Sequence, residues 1–115
     1  MREILFRGKA RDTKCWVYGS LLFSNKIPAI RDKNNVYWYV IRESIGEYTG
    51  VTDSDGIRIY EGDYVRYGNN EPDLCQFDSG AFRLVETNTA LKFISDYKFE
   101  CHVVGNAFDG RFVLE

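Results

Sequence analysis

The sequence predicts a mainly β protein: short antiparallel strands in small barrel or sandwich subdomains, with at most one or two short helical turns. Three observations carry that prediction. Turn chemistry recurs every several residues, at Asp32-Lys33-Asn34-Asn35, Asp55-Gly56, Asp78-Ser79-Gly80 and Asp109-Gly110, with strand-length apolar runs between. Aromatic residues make up 16% of the chain, and flat rings suit the half-buried surface of a sheet. No long run of helical period is present. The 115 residues suffice for one domain that buries about two-thirds of its unfolded surface. Within residues 1–115 we expect two β subdomains, 1–45 and 46–115, with an SH3-like barrel as one form open to the second.

Taken in order, residues 2–10 alternate as a strand, with Ile4, Phe6 and Gly8 on one face and Glu3, Leu5, Arg7 and Lys9 on the other. Cys15 to Phe23 forms its hairpin partner, and Gly19 in the middle marks a bulge or a close backbone approach. Pro28 confines Ile27–Ile30 to an edge, because it cannot donate to a ladder. Val36–Ile41 (VYWYVI) is apolar or aromatic on both faces and is read as a strand covered on both sides. The alternative keeps one face in the core and places Tyr37, Trp38 and Tyr39 at a subunit interface, where such residues are enriched.

Glu47–Tyr67 packs two turns and three short apolar runs into one stretch. Asp55-Gly56 closes a hairpin, and Glu61-Gly62-Asp63 breaks the chain before Tyr64–Tyr67. Leu74–Phe77 and Ala81–Val85 read as a further hairpin. Leu91 and Ile94 sit at helical spacing behind Thr87 or Asn88 as caps, in a segment that equally fits an irregular connection. Tyr97–Val104 alternates, with Tyr97, Phe99, Cys101 and Val103 inward. Phe112 and Leu114 anchor the end.

Composition removes several function classes. A net charge of −2 and a pI near 5.4 provide no global field toward nucleic acid or anionic membrane. No apolar run approaches a membrane span, and the start MREILFRGK lacks a signal-peptide core. Three scattered cysteines, Cys15, Cys75 and Cys101, read as free thiols in a reducing compartment, so a cytoplasmic protein is expected.

No catalytic, cofactor or metal constellation emerges. Cys101 and His102 are neighbours on a strand and face opposite ways. Setting Gly56 at the obligatory glycine of a calcium loop puts Val51 and Gly62 at ligand positions, so that motif fails. Glu61 with Asp63, or Asp53 with Asp55, could mimic an acid–base pair, but carboxylates in turns generally cap backbone amides. Phosphate-binding glycine motifs are absent. The first hairpin does concentrate positive charge, and Arg7, Lys9, Arg11 and Lys14 beside Trp16 and Tyr18 suit single-stranded nucleic acid.

Three blocks carry a family resemblance. The opening MREILFRGKARDTKCWVYGSLLF, the central IGEYTGVTDSDGIRIYEGDYVRY and the closing CHVVGNAFD resemble YopX-like proteins of phages and prophages. The signature falls on turns and strand starts: Gly50, Gly56, Gly62, Asp63, Gly105 and Asn106. Ala107-Phe108-Asp109-Gly110 departs from the family's more usual Asn-Pro-containing tail. The resemblance implies a small, mostly β phage or prophage protein of the bacterial cytoplasm, with an oligomer among its states and no catalytic residue to carry across. We therefore expect a non-enzymatic accessory protein that binds a host or phage protein or self-assembles. The alternative is a small-barrel nucleic-acid-binding module using the basic hairpin.

Overall fold

A computed structural model of the chain describes residues 4–112, with the side chains of 111 and 112 left out. It is mainly β and divides into two compact units, Met1–Tyr48 and Thr49–Glu115.

The first unit is an antiparallel sheet of β1 (Phe6–Lys9), β2 (Trp16–Ser24), β3 (Ile27–Arg31) and β4 (Tyr37–Tyr39), in the order β4-β3-β2-β1. Asn25 and Lys26, both at positive φ, make the two-residue turn that matches strand twist between β2 and β3. Past β4 the chain curls back onto β1. Val40 pairs with Ala10, Arg11 N–H donates to Tyr39 O (2.9 Å), and Ile41 N–H donates to Lys9 O (2.9 Å). The interior holds Ala10, Pro28, Ala29, Ile30 and Val40. Gly19 supplies the close approach its sequence suggests, because a Cβ there would lie 2.0 Å from Arg31 O.

β5 (Gly46–Thr52) runs through the unit boundary. Gly46 and Glu47 pair with Arg7 and Phe6 of β1, and β6 (Arg58–Tyr60) is the strand's other neighbour. The second unit continues with β7 (Asp63–Tyr67), β8 (Asp73–Asp78), β9 (Ala81–Leu84), β10 (Thr89–Ala90), helix α1 (Leu91–Asp96), β11 (Cys101–Asn106) and β12 (Arg111–Phe112). Its sheet order is β10-β9-β8-β7-β11-β12. Ile59, Val65, Cys75, Leu84, Leu91, Ile94 and Cys101 form one buried core.

Three buried aspartates fix this unit's turns by accepting backbone N–H groups. Asp53 takes Asp55 N–H and Ile57 N–H on Oδ1 (2.8 and 2.9 Å) and Val103 N–H on Oδ2 (2.9 Å). Asp63 Oδ2 accepts Tyr60 N–H at 2.8 Å. Asp73 accepts Glu86 N–H and Thr87 N–H, both at 2.9 Å.

Four expectations are corrected. VYWYVI is not covered on both faces: Tyr37 and Tyr39, which share one face, are exposed, while Trp38 on the other face is half-buried and Val40 beside it is buried. Tyr97 and Phe99 do not point inward, because α1 occupies the preceding residues and β11 begins only at Cys101. Lys98, at φ 56°, turns the chain between them, and Phe99 N–H bonds back to Ile94 O at 3.0 Å. Arg7, placed on an outer face by its alternation, is buried. Ile27–Ile30 is not at an edge: β3 lies between β2 and β4, with Pro28 opposite Phe23. The sheet order of the second unit does not show the SH3-like barrel that the sequence left open. Leu114 and the side chain of Phe112 lie outside the described residues.

Candidate functional site

The expected interface residues sit on β4, and Asp32 sets their orientation. Its Oδ1 accepts Asn34 N–H (2.8 Å) and Val36 N–H (3.0 Å), turning the chain into the strand. Its Oδ2 accepts the Trp38 Nε1–H at 2.9 Å. These bonds, the indole's foremost, hold the Asp32 carboxyl below its ordinary range. Strand side chains alternate, so a half-buried Trp38 sends its neighbours outward. Tyr37 is 58% exposed and Tyr39 52%. Together with Arg11, Asp12, Ile27 and Trp38 they line a cleft of about 240 Å³. Arg31 stands directly across the ladder from Tyr37. Asp12, Ile27, Arg31 and Asp32 were not singled out from sequence. Only Asp32 had a readable signal, as an Asp opening a turn of Asn residues before a strand.

The basic hairpin separates into two pairs. The Arg7 guanidinium lies 4.7 Å from the Trp16 ring centroid and its residue is only 8% exposed, so it is not available to a phosphate. The Lys9 ammonium is also over Trp16, at 5.4 Å, on a half-buried residue. Arg11 and Lys14 are exposed.

The division of the chain also reveals a charge asymmetry that the net value conceals. Residues 1–48 hold nine Lys or Arg against five Asp or Glu, a net +4, while residues 49–115 hold six against twelve, a net −6.

In the second unit His102 lies between two carboxylates. Its Nδ1 is 3.0 Å from Asp55 Oδ2 and its Nε2 3.0 Å from Glu100 Oε2. The bond to Glu100, then that to Asp55, raises the imidazole's pKa above its ordinary value. Asp53, Asp55 and His102 offer donor atoms within 4.8 Å of one another. The Asp53 oxygens, however, already accept three backbone amides, and His102 already contacts Asp55. The cluster therefore works as a fastener between the Asp53–Ile57 turn and β11.

Because the folded-state pKa is raised, this fastening is complete below the unfolded value of about 6.5 and is lost as pH climbs through the folded value. The urea midpoint of the wild type should exceed that of His102→Gln at about pH 6, and the gap should close toward about pH 9. A gap that does not vary with pH would show that the imidazolium plays no part.

The family model described as YopX protein matches residues 5–115. The chain belongs to the YopX family. A search of the curated proteins finds no match. Of the residues that carried the resemblance, Gly56 and Gly62 take positive φ and Asp63 caps the turn before β7, whereas Gly50 lies in β5 and Gly105 and Asn106 in β11. The aromatic side chains of β4 are not among these residues.

Proposed function

We propose that this YopX-family chain is a non-enzymatic accessory protein of a phage or prophage that acts by binding protein, with a second copy of itself as partner. The binding surface is the Tyr37–Trp38–Tyr39 edge. One observation carries this reading: two exposed tyrosines flank an anchored tryptophan at the mouth of a cleft. Rigid aromatic anchors of this kind, at the rim of a pocket, are the groups that dominate protein interfaces. The free thiols Cys15, Cys75 and Cys101 support a reducing cytoplasmic setting. Light scattering tests the proposal. Wild-type mass should rise with concentration, and Tyr37→Ser/Tyr39→Ser should stay monomeric while folded. A double variant that associates like the wild type would remove the site.

The net +4 of the first unit, with Arg11 in the tyrosine cleft and Arg31 opposite Tyr37, favours a second reading: single-stranded nucleic acid on the same edge. In that case a labelled oligonucleotide would bind the monomer at low salt, and Tyr37→Ser/Tyr39→Ser would abolish the signal. No anisotropy change at low salt would end this reading.

A further inference from the structure

The second unit carries an aromatic surface of its own. Tyr97 is the C-cap of α1, and the turn at Lys98 brings Phe93, Tyr97 and Phe99 together on the outside. Their ring centroids lie 5.0 Å (Phe93–Tyr97), 5.5 Å (Phe93–Phe99) and 6.3 Å (Tyr97–Phe99) apart, and Tyr67 backs Phe99 at 5.7 Å. Tyr97 protrudes furthest, at 68% exposed. Contiguous exposed rings usually mark a surface that something covers.

We propose that a second copy covers it: the Tyr97 cluster of one chain seats in the Tyr37–Tyr39 cleft of the next, head to tail. This rests on the self-association proposed above and names the partner surface. The cleft has the size for it. A cavity of about 150 Å³ already accepts a benzene ring, and this cleft offers about 240 Å³. Charge points the same way, since the cleft belongs to the +4 unit and the cluster to the −6 unit. Like units would repel, which disfavours cleft against cleft and cluster against cluster. At the cluster's rim Lys92 is paired with Asp96 (3.1 Å), and Lys98 adds a positive charge. The complementarity is therefore that of whole units rather than of one ion pair, and it should weaken with salt. Two different faces meeting in this way make a heterologous contact, which propagates to a ring or an open chain.

Mixing two disabled variants tests it. Tyr37→Ser/Tyr39→Ser loses the cleft side, and Phe93→Ser/Tyr97→Ser loses the cluster side; all four residues are exposed, so both proteins should fold. Each alone should lose about tenfold or more in association constant. An equimolar mixture should form one-to-one dimers, because one intact cleft meets one intact cluster. A cluster variant that self-associates like the wild type would overturn the head-to-tail arrangement while leaving the tyrosine edge as the interface. A mixture that stays monomeric would also overturn it. A wild type that is monomeric throughout would overturn both this arrangement and the proposed function.

Discussion

Asp53→Ala should destabilise the second unit by about 3 kcal/mol, the cost of leaving a buried set of amides without their acceptor. The carboxylate is buried and accepts three backbone N–H groups at 2.8–2.9 Å. Two of these shape the Asp53–Ile57 turn, and the third, from Val103, ties that turn to β11. The connection is reinforced by Ser54, which donates its N–H to Cys101 O and accepts Cys101 N–H on its hydroxyl, both at 2.9 Å. Removing Asp53 therefore strips the turn of its shape and β11 of an anchor together. Asp53→Asn keeps one acceptor oxygen but presents an amide NH₂ to the remaining donors, so it should fall between Ala and wild type. Urea unfolding checks the series. An alanine variant within about 0.5 kcal/mol of wild type, the range of ordinary surface changes, would contradict the role given to this residue.

Gly19→Ala should be still more damaging to the first unit. A Cβ at that position would lie 2.0 Å from Arg31 O, 2.8 Å from its carbonyl carbon and 3.1 Å from Asp32 Cα. All three are backbone atoms, so no side chain can swing aside. The ladder must open next to the Ser20–Arg31 pair, at a cost of about 3 kcal/mol or more. The damage also reaches the candidate site, because the displaced backbone includes Asp32, whose carboxylate orients Trp38. Gly56→Ala is the control. Its Cβ would meet nothing within 4 Å, so only the strain of a positive φ, about 1–2 kcal/mol, remains. Equal melting temperatures for the two variants would show that close approach is not what makes Gly19 necessary.

What could be read from the sequence follows from the range of the interactions involved. The Asp55-Gly56 turn and the Leu74–Val85 hairpin depend on neighbours a few residues away, and the structure forms both. The segment left open between a helix and an irregular connection forms α1, with Ala90 rather than Thr87 or Asn88 at its N-cap. Alternation also assigned Tyr37 and Tyr39 correctly to one face of β4. It could not show whether that face is covered, because coverage depends on which distant segments pack against it. Arg7 misled for a similar reason: a long cationic side chain on an outer face can still be buried when a ring such as Trp16 lies over it. Tyr97 and Phe99 followed a strand period until the helix before them shifted the start of β11. His102 and Asp55 are 47 residues apart, and no local pattern announces that meeting. The charge asymmetry was legible from the sequence too, since the expected division at 45/46 already separates a positive from a negative part.

The solution mass of the wild-type chain, followed by light scattering over a concentration series at low and high salt, tests self-association most directly. The mass should climb above one chain as concentration rises at low salt and fall back when salt is added. A mass of one chain at every concentration and both salt levels would contradict self-association and leave the tyrosine edge to a different ligand.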